Sequence, residues 1–490
     1  MNAPLPRFAT IVDAIAHWAV VSPDTPVALA LDRPDLTYAE LHDLVLRITA
    51  LLRDRGVGPD DRVALFVSHL RDAAVLETIV SCAATPVPLN PEAPAIELRS
   101  LASRLQPALA IATPETADGA AALGCPTLIV EPGLALAGHT RRETPSPRDP
   151  DTAAIILATS GSTGEPHLTP RSHRQQTAST AAWVRHLDFN RSHRGMSVGR
   201  PFHAYGAYLF RSVLTGTSCA FPASPDPRSA VAAIDTLRPT WILAGPSWYD
   251  GLLSIGVPPF SHFWATMSGS APMPPSLNAG IAALFGAPMV YDYGLSEAPC
   301  LALTRREDDP AAGPRYVPLM PGDLAVAAPD GSLLPVGMTG EVVARGPIVV
   351  RGYVGGDGSE FHPGGWFRTG DLAVFEPDGR FRLAGRVKHL VNRGGEMISP
   401  VEIEHTLRAH PAIADAAVVS IPHPSLGEDL LGLIVLRPGE TVSMRELRRW
   451  LLERLVATKV PRQIEIRDGL PMLPSGKLDR RTLLAEIAGR

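Results

Sequence analysis

Cysteine is scarce: Cys82, Cys125, Cys219 and Cys300 are the only four in 490 residues, they stand far apart, and no C-x-x-C pair occurs. That spacing supports neither a zinc knuckle nor a disulfide framework and suits a reducing compartment. Long apolar runs are missing as well. The opening stretch MNAPLPRFATIVDAIAHWAVV is interrupted by Asp13 and His17 and has no basic leader, and nothing later approaches the roughly 18 unbroken apolar residues of a membrane span. A cytoplasmic chain with no membrane partner is expected. Nor is there an excess of charge: 45 Lys plus Arg against 50 Asp plus Glu give a formal net charge of -5, so no nucleic-acid partner is implied. The 42 glycines and 49 prolines fall short of a low-complexity composition, and no internal repeat is found.

What is present is length and texture. At roughly 150 residues per domain the chain is several lobes long. Residues 37–55 carry apolar side chains at 41, 45, 48 and 52, one face of a helix. Thr37 is placed to cap this helix, Glu40 to complete a capping box and Gly56 to stop it. RVALFV (62–67) and AAIILAT (153–159) are short apolar runs with helical stretches between them, the alternation of a covered, mainly parallel sheet. Residues 132–150, rich in Pro, Arg and Thr, read as a linker. From about Met320 the texture becomes short β-rich runs with Asp-Gly pairs at 330–331 and 378–379, which favour tight hairpins. After Arg386 the pattern turns to α+β: a helix at 401–408, apolar runs at 416–421 and 431–436, and an amphipathic helix near 444–455.

The segment with the clearest chemistry is Thr159-Ser160-Gly161-Ser162-Thr163-Gly164, directly after an apolar run. Its glycines remove Cβ obstruction while hydroxyls and backbone N–H groups can converge on an anion, as a polyphosphate requires. It lacks the G-x-x-x-x-G-K-[ST] spacing and is not a Walker loop. Tyr293-Gly294-Leu295-Ser296-Glu297 sets an aromatic ring, a hydroxyl and a carboxylate within five residues, and Gly365 to Asp371 ends in an acid suited to ribose hydroxyls. Gly385 to Glu396 pairs cations with a glycine pair, and Pro474-Ser475-Gly476-Lys477 presents a lysine on a turn.

In order and spacing these segments resemble the acyl-adenylate-forming superfamily of acyl- and aryl-CoA synthetases, luciferase and free-standing adenylation domains. Leu36 to Leu41, Pro201-Phe202-His203, Gly340-Glu341-Val342 and Arg351-Gly352-Tyr353 extend the likeness over nearly the whole chain. The resemblance implies an α/β fold. A large N-terminal adenylation domain (1–386) of α/β subdomains with a small β-barrel-like unit would bind ATP and acid, followed by a small mobile α+β C-terminal domain (387–490). It implies an ATP-dependent, AMP-forming acid–thiol ligase using Mg²⁺, in which a carboxylate attacks the α-phosphorus, pyrophosphate leaves, and a thiol captures the acyl-adenylate. Within it, residues 159–164 would hold the β- and γ-phosphates, Glu297 the Mg²⁺ and Ser296 the α-phosphate. Tyr293 would lie on adenine, Asp371 with Arg386 on the ribose, and His203 beside the reacting carboxylate. Lys477 would bridge the two anions and Lys388 would be the hinge.

Tyr205, Tyr208, Trp248, Ser268, Gly269, Ser270 and Asp292 are the candidate pocket residues. The stretch after His203 lacks the aspartate that pairs an amino-acid ammonium, which favours a non-amino carboxylic acid, although Asp292 keeps an amino or hydroxy acid open. CoA is the favoured acceptor. A phosphopantetheinyl carrier protein or an amine is the alternative, and a nucleotide-binding protein with impaired catalysis is the alternative of another class. That last reading rests on a departure: the family's usual Pro-Lys-Gly is Pro166-His167-Leu168 here. A permanent cation is lost there, and Arg171 is the expected compensator.

Overall fold

The structure, a computed structural model, describes all residues except 1–4, 135, 137–138, 161–165, 201, 203–207, 270–272, 310–312, 394–395, 473–477 and 489–490. The fold is mixed α/β with a large N-terminal and a small C-terminal domain. By contacts the chain divides into one unit of Met1–Gly313, Pro318–Pro321 and Arg345–Phe361 and a second of Pro314–Val317, Gly322–Ala344 and His362–Arg490. This division does not follow a cut after Arg386. Phe381–Arg386 pairs with Trp366–Phe375, and Ser399 Oγ donates to the Ala384 carbonyl, so the β-rich stretch groups with the C-terminal residues.

The first unit is built on parallel sheets. Six strands lie side by side in the order Met289–Tyr293, Ala265–Gly269, Trp241–Ala244, Arg194–Ser197, Ser218–Phe221 and Pro26–Ala30, every neighbouring pair parallel. A second parallel sheet runs Thr85–Pro88, Arg62–Phe66, Leu109–Ala112, Thr127–Ile129. Val63, Ala64, Leu65 and Phe66 are all buried, which explains why RVALFV is a continuous apolar run and not an alternating one. The helix Tyr38–Arg53 begins on the expected capping box: Thr37 Oγ1 accepts from Glu40 N, and Glu40 Oε2 accepts from Thr37 N. Leu41, Val45, Ile48 and Leu52 form its buried face.

One expectation is corrected. Ala153–Ser160 joins neither parallel sheet; it pairs antiparallel with Pro166–Ser172 as a separate two-stranded hairpin. An apolar run reports burial on both faces, which packing on a hairpin satisfies as well as a parallel neighbour does.

The second unit opens with an antiparallel sheet ordered Leu324–Ala327, Thr339–Ala344, Trp366–Phe375, Phe381–Arg386. The Asp-Gly pairs make its turns as expected: Glu376 N donates to Arg380 O around Asp378-Gly379, with Gly379 at φ +81. The α+β stretch follows. Ile413–His423 pairs antiparallel with Gly427–Leu436, Gln463–Arg467 joins parallel, and the helices Pro400–Arg408, Met444–Leu452 and Arg480–Ala488 accompany them. Leu447 and Leu451, one turn apart, are both 0% exposed in that core, each contributing about 2 kcal/mol over an exposed leucine. Arg445, Arg448 and Arg449 face outward on the same helix. Among the described residues no helix is long and apolar enough to cross a membrane.

Candidate active site

In an open parallel sheet the backbone loops at the carboxyl ends of the strands are free to meet a ligand, because the helices begin there. The register sets Ser268 beside Tyr291 and Gly269 beside Asp292 at the ends of two neighbouring strands. Four candidate residues therefore come together: Ser268, Gly269, Asp292 and, one residue on, Tyr293. Asp292 lies in buried surroundings. Burial, the largest influence, raises its pKa, while Arg211, the Cys300 thiol that bonds to it and Arg171 pull the other way, and the net direction is upward. Burial also pushes the Tyr291 phenol up to about 12.

The chain then turns sharply. A Cβ on Gly294 would meet the backbone N of Cys300, so only glycine fits. Leu295 and Ala298 exchange backbone hydrogen bonds, 3.0 and 3.2 Å, closing a tight turn that presents Ser296 and Glu297. Arg171, 3% exposed, holds this turn from below: Nε donates to Ser296 O at 2.7 Å and Nη2 to Leu295 O at 3.1 Å. Gln175 Nε2 donates to Glu297 O at 3.4 Å and to Ile348 O at 3.0 Å, and Val350 N donates to Glu297 O at 2.8 Å. The Glu297 carboxylate accepts from Tyr353 Oη at 2.7 Å. Burial and the Glu297 charge raise the Tyr353 pKa well above the usual phenol range, so Tyr353 remains the donor.

The hairpin that carries residues 161–165 is anchored to the same turn. Thr159 stands opposite His167 and Ser160 opposite Pro166, and Thr159 Oγ1 donates to His167 O at 3.4 Å. The arm leaving the loop holds both His167 and Arg171. Arg171, the expected substitute for the missing lysine, gives its guanidinium to the carbonyls of the 295–296 turn. His173 is buried, and burial, then Arg148, lowers its pKa to about 3, while Arg174 pairs with Asp151 at 2.6 Å.

In the second unit Asp371 and Arg386 are register partners on adjacent strands, joined Nε to Oδ1 at 2.6 Å, with the Asp371 carboxylate largely buried. Lys388 is exposed in the one-turn helix Val387–His389. Trp248 donates its indole N–H to Pro225 O at 3.0 Å and stands edge-on to Tyr249; the described contacts do not join it to the Asp292 group. Gly161, Ser162, Thr163, Gly164, His203, Tyr205, Ser270 and Lys477 lie outside the described residues, as do the side chains of Ser160 and Tyr208.

Among the described residues no three His, Cys, Asp or Glu side chains gather as a ready metal cage. On this turn Glu297 supplies a hard carboxylate oxygen, with one position taken by Tyr353. That donor set fits a magnesium ion whose remaining ligands are phosphate oxygens and water. Sequence reasoning gave Gln175 and Tyr353 no role. The only local trace of Gln175 was the capping pattern Ser172-x-x-Gln175, which the structure contains.

A family model described as AMP-binding enzyme matches residues 15–354, and one described as AMP-binding enzyme C-terminal domain matches residues 402–477. The chain is 32% identical over 459 residues to a feruloyl-CoA synthase of Amycolatopsis, covering 90% of this chain and 92% of that protein. It is 30% identical over 513 residues to the salicyl-AMP ligase / salicyl-S-ArCP synthetase of Mycobacterium tuberculosis, covering 97% and 89%. Among solved structures, ATP-bound MatB from Rhodopseudomonas palustris matches with a TM-score of 0.87 at 25% identity over 98% of each chain.

Proposed function

The chain belongs to the AMP-binding enzyme family, an AMP-forming ligase of the acyl-adenylate-forming superfamily, and on that premise we propose that it activates a non-amino carboxylic acid with ATP and passes the acyl group to CoA. The observation that carries the reading is the joining of the loop hairpin to the Ser296–Glu297 turn by Arg171, which bridges 124 and 125 residues of sequence to its two carbonyl partners. A phosphate-holding loop and a metal-binding acid must be fixed relative to each other for one triphosphate to engage both.

A substrate carboxylate oxygen attacks the α-phosphorus, and the bond to the pyrophosphate oxygen breaks with its electron pair. The coenzyme thiolate then attacks the acyl carbon and AMP departs. Little covalent work falls to the protein in the first step, so positioning and charge neutralisation supply the rate. Residues 159–164 hold the β- and γ-phosphates, Ser296 contacts the α-phosphate, and Tyr293 packs against adenine. Asp371, oriented by Arg386, takes the ribose hydroxyls. Glu297 would hold a Mg²⁺ ion, which would offset phosphate charge. Lys477 bridges the carboxylate and the α-phosphate, and His203 gates the carboxylate's entry. Residues 387–490 turn about Lys388 between the two steps.

The acid lies against Ser268, Gly269, Ser270 and Asp292, with Tyr205, Tyr208 and Trp248 as outer walls. Burial raises the Asp292 pKa although Arg211 and Arg171 partly offset it, and a carboxyl disfavoured as a charge supports a substrate without an ammonium group to pair with it. The 30% identity to a salicyl-AMP ligase / salicyl-S-ArCP synthetase favours a second reading of the acceptor, a phosphopantetheinyl carrier protein. The test is incubation with ATP, Mg²⁺ and a panel of aryl and aliphatic acids, with product masses compared in the presence of CoA, a loaded carrier, or neither. An acyl-CoA mass supports the first reading and an acylated carrier the second; failure to form AMP with any acid overturns both.

A further inference from the structure

The Arg351-Gly352-Tyr353 stretch has no part in the reading above, yet it lies across the two elements that reading needs. Val350 N donates to Glu297 O at 2.8 Å, and Val354 N donates to Leu168 O at 2.9 Å, so the segment is pinned at one end to the acid-bearing turn and at the other to the loop hairpin. Between these anchors Gly352 adopts φ +145, a conformation that glycine accepts and side chains rarely do. The Tyr353 side chain then serves both neighbours. Its hydroxyl donates to Glu297 Oε1 at 2.7 Å, and its ring stacks on the His167 imidazole with centroids 4.5 Å apart and planes 29° from parallel.

A glutamate left to itself samples many rotamers, and fixing it at the moment a ligand binds loses that freedom. A phenol on a half-buried ring is already fixed. By donating to one oxygen it leaves the other oxygen, and a lone pair of the first, free to meet a ligand. Resting on the assignment of Glu297 to the metal nucleotide, we propose that Tyr353 is a positioning residue that orients this carboxylate, and that His167 holds Tyr353 in place by stacking. The residue standing where relatives carry a lysine thus acts through a ring contact instead of through charge.

The test uses the full chain and four variants: Tyr353→Phe, His167→Ala, His167→Phe and His167→Lys. Two measurements are made on each, the Mg²⁺ dependence of acid-dependent ATP–pyrophosphate exchange, and the thermal shift produced by a non-hydrolysable ATP analogue with and without Mg²⁺. Tyr353→Phe should raise the Mg²⁺ concentration for half-activation about tenfold, the loss of one hydrogen bond to a charged group, with the ATP KM at saturating Mg²⁺ little changed. It should also shrink the Mg²⁺-dependent part of the thermal shift at sub-saturating Mg²⁺ and restore it at higher Mg²⁺. His167→Phe keeps the ring and should behave as the wild type, whereas His167→Ala and His167→Lys should weaken Mg²⁺ activation about threefold to tenfold, the range of a lost aromatic pair. The inference falls if Tyr353→Phe matches the wild type on both measurements, or if His167→Phe is as impaired as His167→Ala while His167→Lys is not. If Tyr353→Phe does not fold, the His167 series decides alone. Wild-type protein with neither exchange nor a nucleotide-dependent shift would remove the function proposed for Glu297 as well; a responsive wild type with indifferent variants removes only this inference.

Discussion

Replacing Arg171 by methionine separates two jobs that a cation at this position can do. Its guanidinium is 3% exposed and makes two bonds to backbone carbonyls, at 2.7 and 3.1 Å. Methionine fills much of the same volume but donates nothing. Hydrogen bonds to charged groups contribute about 1.5–3 kcal/mol each. The carbonyls of the half-buried 295–296 turn can recover some hydration, so the lower end applies, about 3 kcal/mol in all. For a unit the size of the first, at an unfolding entropy of about 2.1 cal/mol/K per residue, that is a drop in Tm of about 4 °C. Differential scanning calorimetry reads the transition, and steady-state exchange reads the consequence for catalysis. The turn carrying Ser296 and Glu297 loosens, so kcat should fall while the ATP KM moves less. Arg171→Lys, able to keep one bond, should lie between. An unchanged Tm together with a raised ATP KM alone would refute this reasoning and return Arg171 to the role of a phosphate-binding cation.

Other outcomes follow from single side chains. Glu77 is 1% exposed, and neither carboxylate oxygen has a hydrogen-bond partner among the described residues; burial holds its carboxyl well above the usual range. The folded state therefore keeps a proton that the unfolded state releases, and stability is lost as pH rises above the ordinary glutamate value, by up to about 1.4 kcal/mol per pH unit. Glu77→Gln should flatten that slope between pH 5 and 7 in chemical denaturation; parallel curves for the two proteins would contradict it. Gly294→Ala should displace the turn, since its Cβ would meet Cys300 N and, at 3.2 Å, Ala298 O; the expectation is a loss of about 1–3 kcal/mol in stability with exchange reduced, and native rates would refute it. Lys477→Ala should slow the first half-reaction about 10²–10³-fold with Tm unaltered, the usual effect of removing one charge stabiliser; near-wild-type exchange would remove Lys477 from the site.

How far residues alone lead depends on the range of the interaction. The Thr37–Glu40 cap spans three residues and the Asp378-Gly379 turn spans two, so both are written in local order and both occur. The partner of Ala153–Ser160 is not local in the same sense: apolarity reports that a strand is covered and says nothing of what covers it. The Arg171 bonds reach across more than a hundred residues and the Tyr353 bond across 56, distances at which no periodicity or spacing rule operates. The motif Tyr293 to Glu297 could be read as chemistry, but the side chains that hold it could not, because Arg171 and Tyr353 are recognisable as supports only once the fold closes.

The proposed chemistry is tested most directly by labelled pyrophosphate exchange. Purified protein is mixed with ATP, Mg²⁺, ³²P-labelled pyrophosphate and an acid from the panel, with no acceptor, and label returning to ATP is counted alongside the nucleotide formed. Acid-dependent return of label to ATP, with AMP as the nucleotide released once acceptor is added, is the predicted result. Exchange that ignores the acid, or release of ADP and phosphate in place of AMP and pyrophosphate, would contradict it.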